Sequence, residues 1–291
     1  MKEECLYTII NQQNGNLAFK LFSFTDNSHF DTYQRNNFYT LVWIKNGVGL
    51  LKVDFSEYLF TENTLFAFAP YQPFMFSTDQ KISGFGIQFH ADFYCIHRNP
   101  HETNCDQILF NNIYQEPFLK INQEAQEKLT LQIEQLIGEL QEKGNYELIV
   151  PILKIIIVMA TRLKADTRKA EPKFIASETP FLLSQLKTKI EENYHTKHSA
   201  NEYALLLNIS SNALAKLVKS HFNKTLTELI TERIIIQAKR ELYMTNKPIK
   251  EIAWQLGYKD EFYFSRLFKN QTTIAPQTYR ENVGFGRAEI A

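Results

Sequence analysis

Two sets of side chains in this chain have the types and spacing for chemistry. The first is Cys95, His97, His101 and Cys105, separated by one, three and three residues. All four are ligands that zinc accepts, so they are weak candidates for a metal site. Their spacing matches no standard zinc module, and the ordinary alternative is buried cysteines beside surface histidines. The second set follows Asp260. At helical period Phe264, Leu267 and Phe268 form an apolar side, while Glu261, Ser265, Arg266 and Lys269 lie opposite. A forked guanidinium can pair with both acceptors of guanine, and a carboxylate can accept from cytosine N4. A metal-dependent enzyme of the cupin type would need His and Glu ligands clustered on adjacent strands. The chain offers His90 near one strand end and little else, so neither enzyme activity nor a cofactor is expected.

These candidate base-reading residues sit in a pattern that occurs twice. NEYALLLNISSNALAKLVKSHFNKT is followed by IKEIAWQLGYKDEFYFSRLFKNQTT. Ala204 aligns with Ala253 and Ile209 with Tyr258 at an offset of 49; Leu214, Leu217 and Val218 align with Phe264, Leu267 and Phe268 at 50. A repeat of this length, with two short helices in each copy, argues for duplication of one helix-turn-helix unit. In the first copy Ser199 and Glu202 form a capping box, Asn208 takes the turn, and Ser210 or Ser211 caps the next helix. Asn tolerates the left-handed conformation such a turn needs. In the second copy Gly257 takes the turn and Asp260 the cap. A helix from about Leu226 to Met244, opened by a Thr225–Glu228 box, joins the copies. Its length, roughly 30 Å, suits two reading heads about one turn of DNA apart.

Charge agrees with this reading. Pro180 to Ala291 holds 16 Lys and Arg against 11 Asp and Glu, a surplus of five hidden by a net charge of zero. The remainder is acidic by the same margin, so only the C-terminal part suits a polyanion.

IAWQLGY, FYFSRLFKN and APQTYR in the second copy make residues Pro180 to Glu281 resemble the DNA-binding domain of the AraC/XylS family of bacterial regulators. The family usually has Gly-x-Ser-Pro before the final Tyr-Arg; Thr272-Thr273-Ile274-Ala275-Pro276 keeps only the proline. Asn223 likewise stands where a glycine is usual, which implies altered turns on a retained fold. Resemblance and helical geometry point to the same DNA-facing residues. These are Ser211, Asn212, Ala215 and Lys216 in the first recognition helix, and Glu261, Phe262, Ser265 and Arg266 in the second. Asn212 suits adenine, Lys216 and Arg266 suit guanine, and Phe262 suits a thymine methyl. Lys219, Lys259 and Lys269 are assigned to the phosphate backbone. Double-stranded DNA is thus the expected partner, and activation would further require a surface for RNA polymerase.

Residues 1–120 read as short strands: Phe38 to Ile44, Val48 to Phe55, Tyr58 to Thr61, Leu65 to Ala69 and Gly84 to His90. Asn46-Gly47 predicts a hairpin turn, and Pro70 and Pro73 predict an edge or loop. The expected fold class is α+β: an N-terminal cupin-like β-barrel with two following helices, then an all-α domain with two helix-turn-helix units. The resemblance implies a barrel (1–120) that binds a small effector. Trp43, Phe66, Phe68, Phe74, Phe76 and Phe89 are candidates for its apolar pocket. Helices at 121–165, about Asn122 to Lys143 and Tyr146 to Lys164, are expected to form a homodimer, because the second has more apolar surface than one stripe. The charged stretch 166–179 reads as a linker before the DNA-binding domain at 180–291. The alternative is a ligand-independent dimer whose N-terminal domain is a structural or protein-interaction module. Three cysteines and the absence of an apolar leader or span predict a reducing cytoplasm and no membrane.

Overall fold

The computed structural model describes residues 5–11, 15–54, 56–94, 106–142, 147–170 and 178–283. The candidate metal ligands Cys95, His97, His101 and Cys105 lie outside them. Among the described residues no other cluster of His, Cys, Asp and Glu could hold a metal, and no helix is long and apolar enough to cross a membrane.

Contacts divide the chain into two units. One takes most of the chain up to Glu171, and the other takes Pro172–Ala291 with the short stretches Asp54–Ser56 and Ile113–Gln115. The described residues of the first unit form nine strands: β1 (Leu6–Ile10), β2 (Leu17–Phe24), β3 (Tyr39–Asn46), β4 (Gly49–Val53), β5 (Ser56–Phe60), β6 (Thr64–Phe68), β7 (Phe74–Ser77), β8 (Ser83–Phe89) and β9 (Phe118–Lys120). They form a six-stranded sheet, β1-β2-β8-β3-β6-β9, and a three-stranded sheet, β5-β4-β7. These are open sheets, and the described strands close no barrel. The expected hairpin at Asn46-Gly47 is also absent, since β3 and β4 fall in different sheets. Gly47, at φ +106°, instead carries the chain from one sheet to the other. A Cβ there would lie 2.8 Å from the Lys81 carbonyl oxygen, so close approach of another segment accounts for the glycine. β7 begins directly after Pro73 and is an edge strand, as the prolines predict.

Phenylalanines fill the space between the sheets. Phe22, Phe24, Phe30, Phe60, Phe66, Phe68, Phe74 and Phe76 share one buried cluster with Val42, Ile44, Leu51, Val53 and Ile82. Phe68 and Phe74 stack at 3.7 Å, and Phe66 meets Phe76 edge-on at 4.8 Å. β3 is buried along nearly its whole length, because Leu41 and Trp43 point away from this cluster while Val42 and Ile44 point into it.

Among its described residues this unit also has a short π-helix, Asp106–Phe110, and two α-helices, α1 (Gln123–Gln141) and α2 (Ile149–Ala170). α2 buries Ile149, Ile152, Leu153, Ile156, Ile157 and Ala160 but leaves Ile155 about half exposed. It also runs six residues beyond Lys164, into the expected linker. Ala165-Asp166-Thr167-Arg168-Lys169-Ala170 contains enough strong helix formers to continue the helix, despite its charge. The second unit is helical: α3 (Glu178–Asn193), α4 (Ala200–Leu206), α5 (Ser211–Phe222), α6 (Leu226–Met244), α7 (Ile249–Gln255), α8 (Glu261–Thr272) and α9 (Pro276–Val283). α3 therefore starts just before the expected end of the linker at residue 179.

Candidate nucleic-acid interface

The two repeats fold as the same object. Glu202 accepts from the Ser199 N–H at 3.0 Å and the Ser199 hydroxyl at 2.7 Å, fixing the start of α4. The α4–α5 turn closes through Asn208 N–H to Leu205 O at 3.2 Å and Ile209 N–H to Ala204 O at 3.1 Å. Gly257 N–H to Trp254 O (3.0 Å) and Tyr258 N–H to Ala253 O (2.9 Å) repeat that pair between α7 and α8. Asn208 and Gly257 are both left-handed, at φ +54° and +85°. The second helices start on Ser210, which accepts from Ala213 N–H, and on Asp260, which accepts from Phe262 N–H. Both end on left-handed residues, Asn223 at φ +54° and Thr273 at φ +72°. These are the positions that lack the usual glycines.

Each second helix buries one face and leaves the other open. Leu214 and Val218 of α5 are fully buried, as are Phe264 and Phe268 of α8. Asn212, Ala215, Lys216 and Lys219 are exposed on α5, with Ser211 half-buried. On α8 Phe262, Arg266 and Lys269 are exposed, as is Lys259 before it, while Glu261 and Ser265 are half-buried. Lys216, Lys259, Arg266 and Lys269 make no ion pair among the described residues, so their charge is open to a polyanion. Lys219 differs. Its ammonium donates to Asn223 O at 3.2 Å, capping its own helix. Effector-pocket candidates Phe66, Phe68, Phe74 and Phe76 come together, but they pack on one another. Trp43 and Phe89 lie outside that cluster; Phe89 stacks on Tyr39 at 5.3 Å.

α6 joins the heads as expected. It starts on the predicted box, with Thr225 N–H donating to Glu228 at 2.6 Å and Glu228 N–H donating to the Thr225 hydroxyl at 3.2 Å. Lys224, in the turn before it, is buried and pairs with buried Glu232 at 2.9 Å. Burial pushes the Glu232 carboxyl up from the usual carboxylate range, against the pull of the Lys224 ammonium. Sequence reasoning missed this pair, and also Tyr263, which is 53% exposed beside Phe262 at 71%. It missed Leu205 and Trp254 too, which occupy equivalent places in α4 and α7 and are 77% and 73% exposed. The repeat alignment itself pairs these two residues, so that signal was available.

A family model described as a helix-turn-helix domain matches residues 203–282. The chain is 35% identical over 95 residues to the raffinose operon transcriptional regulatory protein RafR of Pediococcus pentosaceus, covering 33% of this chain and 34% of that protein. It is 24% identical over 244 residues to the HTH-type transcriptional activator Btr of Bacillus subtilis (strain 168), covering 82% of this chain and 43% of that protein. These alignments thus span less than half the length of either relative. Among solved structures, ToxT from Vibrio cholerae O395 aligns over 91% of this chain and 98% of its own, at 19% identity and a TM-score of 0.42. The C-terminal domain of the response regulator yesN from Fusobacterium nucleatum aligns over 33% and 95%, at 28% identity and a TM-score of 0.33. Residues 203–282 thus form a helix-turn-helix domain, and over that region the chain is similar to bacterial transcriptional regulators.

Proposed function

We propose that this protein controls transcription by reading two successive major grooves with α5 and α8. The observation that carries this reading is the repeated exposed face: Asn212 and Lys216 on one helix, Phe262 and Arg266 on the other, each backed by a buried core. Asn212, Lys216, Glu261 and Arg266 supply base-edge groups, while Phe262 and Ala215 supply apolar contact for thymine methyls. Ser211 and Ser265 flank these contacts, and Lys259 and Lys269 hold the backbone. Lys219 adds its charge from the helix end that it caps. The direct test is to select duplexes from a randomised library with the full chain and to measure affinity against salt. Sequence-selective binding with a steep salt dependence is expected. Equal affinity for selected and scrambled duplexes would refute the reading.

The N-terminal unit is assigned two tasks. One is effector sensing, supported by Trp43, whose indole N–H is buried without a hydrogen-bond partner among the described residues. An acceptor on a small molecule would satisfy it. The other is homodimerisation, supported by Ile155, an apolar side chain that remains 51% exposed on the open face of α2, beside exposed Pro151 and Arg162. It lines a groove of about 710 Å³ between α1 and α2, together with Ala125, Val158 and Met159. A ligand-free scaffold is the competing reading of the sensing task. A rise in melting temperature with one class of metabolite, lost on Trp43→Phe, would separate the two.

A further inference from the structure

We propose that His198 is a positioning residue that latches the two reading heads together, so that the spacing between their binding sites is set by this contact as well as by α6. The inference rests on the DNA-reading role proposed above. His198 lies in the segment that leads from α3 into the first head. Its ring stacks on Tyr258, in the turn of the second head, with centroids 4.6 Å apart and planes 23° apart. Tyr258 in turn contacts Tyr263 at 5.8 Å and Phe264 at 5.6 Å, both on the second recognition helix. The other end of the latch is equally tied down. His198 N–H donates to the Glu202 carboxylate at 3.2 Å, the same group that holds the start of α4. One residue therefore links the two heads, its backbone N–H holding the capping box of the first and its ring reaching the recognition helix of the second through Tyr258.

The turn glycine records this approach. Asn208 holds the left-handed turn of the first head with a side chain present, so the conformation alone does not demand glycine. At Gly257 a Cβ would lie 2.4 Å from the His195 carbonyl oxygen and about 3 Å from the His198 ring. The second copy therefore needs glycine for space as well as for its φ of +85°. The connecting helix itself packs on α7, α8 and α9 of the second head. It gives way at Thr245 to an extended segment that reaches the second head at Pro248. That segment is held by Arg280 donating to Lys247 O at 2.6 Å and by Lys247 pairing with Glu241 at 2.9 Å. The contact at 195–198 supplies an attachment separate from that packing. Two attachments oppose rotation that one would permit. Burial also holds the imidazole below its usual pKa, which favours the neutral ring in the stack.

Spacing is the readout that a merely structural role would not move. Inserting one base pair between the two contacted segments rotates one against the other by about 34° and shifts it by about 3.4 Å. The experiment uses the full chain and a duplex selected from a randomised library, with and without such an insertion. Wild-type protein is expected to lose about 30-fold in affinity on insertion, a loss that a rigid pair of heads would show. His198→Ala should cut that penalty to about threefold, while His198→Phe, which restores a stacking ring, should return it towards wild type. Hydrogen exchange without DNA provides the second arm: His198→Ala should speed exchange at the Gly257 and Tyr258 amides and leave the α6 core unchanged. The latch is overturned if folded His198→Ala keeps the full spacing penalty and slow turn exchange, or if His198→Phe loses both as alanine does. If wild-type protein selects no duplex, DNA reading fails, and the exchange data alone still decide the latch.

Discussion

At the scale of single residues, the asymmetry between the heads is chemical. Arg266 is the one exposed side chain on either recognition helix with the fork for bidentate guanine contact, and it makes no ion pair among the described residues. Arg266→Ala should cost about 1–3 kcal/mol of binding and relax preference at one base position. Competition between single-base operator variants measures both. Lys269→Ala should weaken binding almost equally across sequences and lower the salt slope by about one. A different residue exposes a local cost. Thr273 ends α8 in the left-handed region at φ +72°, where a β-branched side chain is strained. Its hydroxyl donates to Thr272 O at 2.6 Å, a local contact that recovers part of that cost. Thr273→Gly should therefore stabilise the domain by about 1 kcal/mol in urea unfolding, even after glycine's greater unfolded-state entropy is counted.

At the scale of elements, what could be read from sequence was what forms locally. Caps at Asp260, Thr225 and Glu202, the left-handed Asn208 and Gly257, and the bounds of α6 all depend on residues a few positions apart. The exposed faces of α5 and α8 followed from the same helical period. Sheet pairing did not, because it depends on segments distant in sequence. β2 pairs with β8, so Phe22 faces Gly86 across the ladder, and nothing near either residue announces it. Asn46-Gly47 looked like a hairpin for the complementary reason: a turn signal specifies φ and not which sheet the next strand joins. Long-range polar contacts were hidden in the same way. Lys224 and Glu232 are eight residues apart, yet their meeting depends on how the turn after α5 packs on α6. Because both are buried, Lys224→Met alone should destabilise the domain by about 3 kcal/mol, leaving a desolvated carboxyl without its cation. Lys224→Met with Glu232→Leu should recover most of that loss. A double-mutant cycle in urea checks the coupling, and additive losses would show the pair to be energetically unlinked.

At the scale of the whole molecule, α2 poses a question of coverage. Its wide apolar surface exceeds what the β-unit and α1 bury, since Ile155 stays half exposed on the face it shares with exposed Pro151 and Arg162. A second copy that covered Ile155 would hold two pairs of reading heads in one particle. The gain would be avidity: once one chain is bound, the other reaches its site at a high effective concentration. Ile155→Glu separates this from a role in folding. A carboxylate at a half-exposed position stays hydrated in the monomer, so stability should change by well under 1 kcal/mol. In a dimer interface the same carboxylate would be desolvated at a cost of several kcal/mol. Sedimentation should therefore shift from dimer to monomer without a fall in melting temperature. Affinity for a duplex with two copies of the selected site should drop by about 100-fold, and affinity for one copy should not change. An unaltered sedimentation coefficient in the dimer range would place the contact between copies on some other face.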